Sequence, residues 1–284
     1  MPHQNPLLAA VIRANVHSAL AEDIGNEGDL TAQLVPEKAQ GRATVITRQP
    51  AVLCGTAWFN ACFKTLDPGC KIDWFVRDGS VVAANEKLCE IHGNARAMLT
   101  AERAALNFLQ TLSGTATLTH RYVDTVKGTQ AKIMDTRKTL PGLRLAQKYA
   151  VRVGGGHNQR VGLFDGILIK ENHIMAAGGV CNAIKQAYRL APQGATIQIE
   201  VETMEQLGEA LDAGAKLILL DNFNLEQMCN AVEFTSRRAE LEASGGITLK
   251  TARVIAETGI DRISIGALTK DVEAVDLSMR FIAS

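Results

Sequence analysis

The sequence lacks a surplus of charge of either sign. Among its 284 residues, 30 basic side chains balance 30 acidic ones, and the formal net charge is zero. Proteins that bind nucleic acid or anionic membranes through a broad surface usually carry a basic surplus. We therefore predict no nucleic-acid partner and no membrane partner, and any charged ligand must be recognised by a local cluster of side chains.

The sequence also lacks the cysteine and hydrophobic patterns of several protein classes. Its six cysteines contain no C-x-x-C pair and lie at no zinc-ligand spacing from a histidine, which favours free thiols in a reducing compartment. Residues 1–20 lack the basic region and long apolar core of a signal peptide, and no apolar run reaches membrane-spanning length. We therefore expect a cytoplasmic globular protein.

The first part of the chain mixes helical and strand-like patterns. Apolar residues recur at helical spacing over residues 8–20, which predicts an amphipathic helix. Residues 41–92 show strand-like patterns with one helical insert, TAWFNACFKTL. A long helical stretch follows over about residues 95–126, with a break or cap expected at Ser113-Gly114. These patterns predict a small α+β unit.

The second part alternates apolar runs of strand length with helical segments. The runs are AKIMDT, DGILIK, TIQIEVE, KLILLDN, AELEAS and RISIGA. Repeated strand and helix units predict parallel strands with helices packed outside them. Six strands fit an incomplete α/β barrel, and an open doubly wound sheet is the alternative. Both folds bring the polar residues at the strand ends to one edge of the sheet.

Basic residues concentrate between positions 137 and 170, where seven of them accompany a single acid, Asp165. Three of the seven fit the solvated face of a helix, and these are Arg144, Lys148 and Arg152. Arg137, Lys138 and Lys170 instead follow predicted strands, where an unpaired cation is costly. Their convergence indicates a multiply charged anionic ligand.

Glycine-rich segments lie beside these cations. VGGGHNQR spans residues 153–160 and matches neither a Walker loop nor a dinucleotide fingerprint, but its amides could form an anion-binding nest. SGGI at 244–247 and IGAL at 265–268 end the last two strands, where barrel enzymes often hold a phosphate. The same glycines could simply permit tight turns, and both interpretations stay open.

Three acids follow the middle strands. Strand alternation places Glu200 and Glu202 on one face, and Asp221 ends the next strand. Carboxylates there could accept sugar hydroxyls or hold Mg²⁺ together with substrate phosphates. Alternatively, they could only neutralise Lys170 and Arg160.

Seven segments together resemble the quinolinate phosphoribosyltransferase family along nearly the whole chain. They are ALAEDIGNEGDLT, ERAALNFLQTLSGTAT, DTRKTLPGLR, GGGHNQR, LIKENH, LLDN and ASGGI. The resemblance implies an α/β protein with the type II phosphoribosyltransferase fold, in which residues 1–112 form an N-terminal α+β sandwich domain. Residues 113–269 would form an incomplete parallel α/β barrel, and a C-terminal helix over 270–284 would pack back on the first domain.

The resemblance also implies an activity, that of a glycosyltransferase (pentosyltransferase) in NAD biosynthesis. Members of the family transfer the phosphoribosyl group of phosphoribosyl pyrophosphate to quinolinate with decarboxylation. The products are nicotinate mononucleotide, pyrophosphate and CO₂, and Mg²⁺ is the cofactor. The family further implies a homodimer with shared active sites.

Site residues follow from the same resemblance. The residues that match binders of the quinolinate carboxylates and nearby phosphate oxygens are Thr136, Arg137, Lys138, Arg160 and Lys170. Arg103 matches an arginine that reaches into the partner subunit's site. The residues that match the loops around the 5′-phosphate are Ser244, Gly245, Gly246, Ile265, Gly266 and Ala267.

Three residues are expected to be catalytic by resemblance, and they are Lys138, Glu200 and Asp221. The two carboxylates would contact the ribose hydroxyls and Mg²⁺, the latter mainly through substrate phosphates. One departure matters, because Gln159 stands where many members have histidine in an Asn-His-Arg pattern. A histidine acid or base at this position is therefore excluded, and the displaced His157 does not simply inherit the role.

Two rival functions remain from the residues alone. A related phosphoribosyltransferase could act on nicotinate or another ring acid, although a monoacid would leave some cations unpaired. A non-catalytic barrel could instead sense or store a phosphorylated metabolite. The acids opposite the cations argue against such a receptor, because a pure anion site would avoid carboxylates.

Overall fold

The structure, a computed structural model, describes residues 6–282. The strands are β1 Gln40–Thr47, β2 Ala51–Val52, β3 Lys71–Trp74, β4 Val81–Val82, β5 Lys87–Asn94, β6 Lys132–Met134, β7 Gly166–Ile169, β8 Thr196–Val201, β9 Leu217–Asp221, β10 Glu240–Ser244, β11 Arg262–Ser264 and β12 Leu277–Phe281. The α-helices are α1 Pro6–Ile24, α2 Thr56–Leu66, α3 Ala95–Thr125, α4 Arg144–Val153, α5 Glu171–Ala177, α6 Val180–Leu190, α7 Met204–Asp212, α8 Leu225–Thr235, α9 Ala252–Glu257 and α10 Ala267–Lys270, and a 3-10 turn spans Ala32–Leu34.

The described chain divides into two compact units. The first contains the residues up to Leu118, the segment Leu140–Gly155 and the residues from Asp271 onward, and the second contains Thr119–Thr139 and Gly156–Lys270. The sequence-based prediction assigned residues 140–155 to the barrel, because this segment lies between two barrel strands in the chain. Its helix, α4, instead buries Ala146 and Ala150 in the core of the first unit.

The first unit is built on a four-stranded antiparallel sheet in the order β12-β1-β5-β3. Alternate residues of β1, Ala43 and Val45, are fully buried, as the period of two in a half-buried strand requires. Helix α2 contributes Trp58, Phe59 and Phe63 to the same core. The predicted N-terminal sheet-and-helix domain is therefore confirmed.

The C-terminal helix predicted for 270–284 is wrong. Residues 277–281 form strand β12, which pairs antiparallel with β1 so that Met279 lies opposite Val45. Leu277 and Met279 are buried whereas Arg280 is exposed, and this alternation is typical of a strand. The segment does belong to the first unit, and residues 283–284 lie outside the described residues.

Helix α3 runs for 31 residues without the break predicted at Ser113-Gly114. The Ser113 hydroxyl accepts a hydrogen bond from the Cys54 amide at 2.9 Å, and a Cβ at Gly114 would collide with the Glu273 carbonyl oxygen. Gly114 therefore permits close packing rather than ending the helix. Between residues 6 and 282, neither α3 nor any other helix has the length and apolar character needed to cross a membrane.

The second unit is a six-stranded parallel sheet in the order β6-β11-β10-β9-β8-β7. Strands β7 to β11 are neighbours in chain order, and β6 pairs with β11, the last of the series. This order is that of a barrel with one unpaired seam between β6 and β7. A doubly wound sheet would reverse its winding direction, so the incomplete barrel is confirmed and the alternative is excluded.

Candidate active site

Most of the site residues predicted from the sequence lie at the carboxyl ends of the barrel strands. In chain order, the strands from β6 to β11 end in or are followed by Thr136, Lys170, Glu200, Asp221, Ser244 and Gly266. Because every pairing in this sheet is parallel, these ends lie at one edge, which we call the barrel mouth.

Lys138 is held at the barrel mouth by the loop that follows β6. Its backbone N–H donates to the Thr136 hydroxyl at 3.0 Å, and its carbonyl oxygen accepts from the Thr269 hydroxyl at 2.7 Å. A Cβ at Gly266 would lie 3.1 Å from the Lys138 Cδ, so glycine at the end of β11 leaves room for this side chain. The result is an exposed ammonium group anchored by its own backbone.

Arg160 and Arg137 lie close enough to repel each other. Burial, and then the positive charge of Arg137, lower the pKa of the Arg160 guanidinium. The Arg160 Nη1 donates to the Gly166 carbonyl oxygen at 3.0 Å, which fixes the side chain beside β7. Two partly buried guanidinium groups near each other form a site of positive potential that suits a dianion.

Two carboxylates also occupy the barrel mouth. Lys170 Nζ lies 2.6 Å from the Glu200 Oε2, so one cation already has a counter-ion within the protein. Asp221 has a raised pKa, mainly because of burial and then because of the negative charge of Glu200, while Lys170 and Lys138 oppose the shift. The mouth thus combines opposite charges rather than cations alone.

Glu202 does not join this group in the way that strand alternation predicted. Strand β8 ends at Val201, and Glu202 is exposed in the bend that leads to α7. Its backbone N–H donates to the Gln206 side chain at 2.8 Å and helps to start that helix. The alternation argument therefore holds for Glu200 but not for Glu202.

The glycines after β10 have a conformation that other residues tolerate poorly. Gly245 has φ 104° and Gly246 has φ 58°, and a Cβ at Gly245 would collide with the Asn222 side chain. Asn222 itself has φ 57°, so two successive strand ends carry left-handed backbone. The sequence analysis assigned no role to Asn222. The only feature of the sequence that could have pointed to it is its position directly after Asp221.

Gly245 and Gly246 provide a matched pair for a stability test. We expect Gly245→Ala to lower the free energy of unfolding by about 2–4 kcal/mol, because it adds both backbone strain and a steric clash. Gly246→Ala meets no neighbouring atom within 4 Å and should cost about 1 kcal/mol. Chemical denaturation measures both values, and equal losses would contradict the role given to Asn222 in this turn.

Two buried carboxyl groups near the mouth were not assigned any role from the sequence. The Asp135 carboxylate accepts a hydrogen bond from the Asn158 side chain at 2.6 Å and another from the backbone N–H of Gln159 at 2.8 Å. Glu242, in β10, accepts from the Gln159 side chain at 2.6 Å and from the Gln198 side chain at 3.1 Å. The period of two in ELEAS, which pairs Glu242 with Ser244, could have identified the second of them.

Some predicted residues lie outside the barrel unit. Arg103, in α3, belongs to the first unit and lines a cavity of about 350 Å³ together with Asn15 and Asn107. The solvated helix face predicted for α4 is wrong for Lys148, which is only 2% exposed, although Arg152 is exposed. Lys148 lies two residues from both Ala146 and Ala150, so it is on a different face of α4 from these two core residues, and α4 is buried on more than one face.

The described residues contain no group of three or more histidine, cysteine or acidic side chains that could hold a metal ion. Glu200 and Asp221 are therefore only two oxygen donors. A magnesium ion usually keeps several waters and binds through one or two carboxylates plus substrate phosphates. These two residues fit such an ion only if the substrate supplies further oxygens.

Comparison with known proteins gives matches to both parts of the chain. Residues 29–113 match the model of the quinolinate phosphoribosyl transferase N-terminal domain, and residues 115–280 match that of the C-terminal domain. The chain is 42% identical to a probable nicotinate-nucleotide pyrophosphorylase [carboxylating] of Bacillus subtilis, over 91% of this chain and 89% of the relative. It is 41% identical to the nicotinate-nucleotide pyrophosphorylase [carboxylating] of Mycobacterium leprae, over 94% and 96%.

A solved structure gives the same result. The nicotinate-nucleotide pyrophosphorylase from Francisella tularensis superimposes with a TM-score of 0.93 at 44% identity. The match covers 96% of this chain and 97% of that one. Both units of the present structure are therefore included in the comparison.

Proposed function

The chain belongs to the quinolinate phosphoribosyl transferase family, and from this premise we propose that it joins quinolinate to phosphoribosyl pyrophosphate with loss of CO₂. The products are nicotinate mononucleotide and pyrophosphate, and the reaction belongs to the de novo synthesis of NAD. The enzyme is a pentosyltransferase. The barrel mouth in the second unit is its active site.

One observation carries this proposal, namely a pair of mutually repelling arginines, of which Arg137 follows β6 at a mouth that also holds two carboxylates. The positive charge of Arg137 adds to burial in lowering the pKa of Arg160, and a ligand with two carboxylates relieves that repulsion. Quinolinate is such a dianion. Glu200 and Asp221 have the opposite charge and suit a sugar that becomes positively charged as it reacts.

The reaction then follows from the charges. As the bond from the anomeric carbon to pyrophosphate breaks, its electron pair leaves with pyrophosphate and positive charge develops on the ribose. Asp221 and Glu200 stabilise that charge, and Lys138 stabilises the charge on the leaving group. The quinolinate nitrogen forms the new bond to carbon. Its adjacent carboxylate leaves as CO₂, and the electron pair left on the ring carbon takes up a proton.

Magnesium and the phosphate loops are further parts of the proposal. Glu200 and Asp221 would hold Mg²⁺ together with substrate phosphates, and the bound ion would neutralise charge on the pyrophosphate. The loops that would hold the 5′-phosphate contain Ser244, Gly245, Gly246, Ile265, Gly266 and Ala267. Support comes from the left-handed glycines in the first loop and from the place of both loops at the last two strands.

Steady-state assays with two acceptors test the substrate. We expect turnover with quinolinate and about 10- to 150-fold lower kcat/KM with nicotinate, which corresponds to the about 1.5–3 kcal/mol that a charged hydrogen bond contributes. A control reaction without phosphoribosyl pyrophosphate measures background decarboxylation. Comparable turnover of nicotinate would reassign the enzyme to a monoacid substrate.

The homodimer with shared sites rests on Arg103, which belongs to the first unit and not to the barrel unit. We expect Arg103→Ala and Lys138→Ala each to retain only residual activity when assayed separately. If Arg103 acts in the partner's site, an equal mixture should regain about a quarter of the native activity, because half of the dimers are mixed and each has one intact site. Failure to regain activity despite verified subunit exchange would refute the sharing. A cytoplasmic location is also part of the proposal.

A further inference from the structure

A polar layer lies directly beneath the barrel mouth. Two residues before Glu200, Ser244 and Gly266, on the same strand faces, stand Gln198, Glu242 and Ser264. All three are at least 94% buried. Barrel interiors are normally filled with branched apolar side chains, so a glutamate at 0% exposure in this layer requires specific partners.

Gln159 supplies the missing partner. Its side-chain Nε2 lies 2.6 Å from one Glu242 carboxylate oxygen and 2.5 Å from the other, and 3.2 Å from the Gln198 Oε1. The Gln198 amide donates to Glu242 at 3.1 Å. Burial raises the pKa of the Glu242 carboxyl, and hydrogen bonds from Gln198, Gln159 and Ser264 partly offset that shift. We call these four side chains the floor network.

The backbone around Gln159 lies along the open edge of the barrel. The His157 amide donates to the Ile133 carbonyl oxygen at 2.8 Å, and the Asp135 amide donates to the His157 carbonyl oxygen at 3.0 Å. These bonds continue the sheet past β6 by one short stretch of chain. Asp135 holds the backbone of Gln159 while Glu242 holds its side chain, so two buried carboxyl groups fix this stretch.

Arg160, the next residue, needs such a restraint. Its guanidinium is repelled by Arg137, is attracted by Asp165, and donates a hydrogen bond to the carbonyl oxygen of Gly166. A cation that is repelled by its neighbour moves toward solvent unless its backbone is fixed. The floor network supplies that fixation from inside the barrel.

We propose that Glu242 and Gln159 are positioning residues, which hold Arg160 in place for an acceptor carboxylate by joining the 157–160 segment to strands β8 and β10. This inference rests on the proposed function for the identity of the acceptor. It assigns no proton transfer to Gln159, whose amide does not titrate. It also explains how a glutamine can serve at this position, because a neutral donor is sufficient to bind the buried carboxyl group.

The test compares Glu242→Gln with Glu240→Gln. Both residues lie in β10, but Glu240 is at the other end of the strand, where it pairs with Arg262 at 2.5 Å. We expect Glu242→Gln to weaken quinolinate binding about tenfold, or about 1.4 kcal/mol, while the Kd for phosphoribosyl pyrophosphate changes less than about twofold. Glu240→Gln should leave both unchanged. In an Arg160→Ala background, Glu242→Gln should have no further effect on quinolinate binding.

Backbone amide exchange provides a readout that does not depend on the substrate. Exchange at His157 and Gln159 should become about tenfold faster in Glu242→Gln and stay unchanged in Glu240→Gln. If Glu242→Gln does not fold, Gln159→Met removes the donor from the other side and takes its place. Equal losses for both substrates, additivity with Arg160→Ala, or unchanged exchange would overturn the inference. No turnover of quinolinate by the native chain, with faster exchange in the variant, would instead refute only the proposed substrate.

Discussion

Replacing Asp221 with asparagine is expected to lower kcat about 10²–10³-fold, the effect of removing one preorganised electrostatic contact from a transition state. Asparagine keeps the shape of the side chain but removes the negative charge that faces the developing positive charge on ribose. The matched control is Asp212→Asn, in α7, where the side chain is 83% exposed and should not affect turnover. Equal kcat values for the native enzyme and Asp221→Asn would refute the role.

The pH dependence of kcat provides a second, independent test of the role of the Asp221 carboxylate. Burial and Glu200 raise the pKa of Asp221 above its ordinary value of 3.8. Because the reaction uses the carboxylate, activity should fall as the pH drops through this raised pKa, and Asp221→Asn should lose that acidic limb.

Asp221→Asn should lower activity without lowering folding stability. A carboxyl group whose pKa is raised in the folded state destabilises the fold above its unfolded pKa. Asp221→Asn should therefore not lower the melting temperature at neutral pH. A large drop in the melting temperature would indicate that the loss of activity arose from the fold.

Lys138→Ala is expected to weaken quinolinate binding by about 1.5–3 kcal/mol, the usual contribution of a charged hydrogen bond. The ammonium group is exposed at the barrel mouth and its backbone is held by Thr136 and Thr269, so the truncation removes charge without disturbing the loop. Lys132→Ala, an exposed lysine at the start of β6, is the control. Calorimetric titration measures both, and unchanged affinity in Lys138→Ala would exclude the contact.

The same variant should also move the acidic limb of the pH profile. Lys138 lowers the pKa of Asp221, so its removal should shift that pKa, and with it the loss of activity, to higher pH. A shift to lower pH would mean that the two side chains do not interact as the structure indicates. This result does not depend on how tightly quinolinate binds.

Much of the barrel could be predicted because its signals are local. Six apolar runs have the length of strands, and each ends in a polar or glycine residue, so the residues of the mouth could be grouped before their positions were known. The pairing of β6 with β11 could not be predicted in this way, because the two strands are more than a hundred residues apart in the chain. Periodicity does not encode such a long-range partner.

The errors also have physical causes. The C-terminal segment has a strand period at Val275, Leu277 and Met279, but its partner, β1, lies at the other end of the chain. Lys148 has the polarity of a surface residue and is nevertheless buried, because α4 carries buried residues on more than one face. Glu242 could be placed on an inward face by alternation, whereas its bond to Gln159 depends on a loop whose course the sequence does not specify.

The most direct test of the proposed function measures two released products, pyrophosphate and CO₂, in the same reaction. Purified protein is incubated with quinolinate, phosphoribosyl pyrophosphate and Mg²⁺, and the release of pyrophosphate and CO₂ is followed in the same reaction. The predicted result is equal release of the two, matched by formation of nicotinate mononucleotide. Calorimetric binding of quinolinate without release of pyrophosphate would contradict the enzyme assignment and identify the barrel as a receptor.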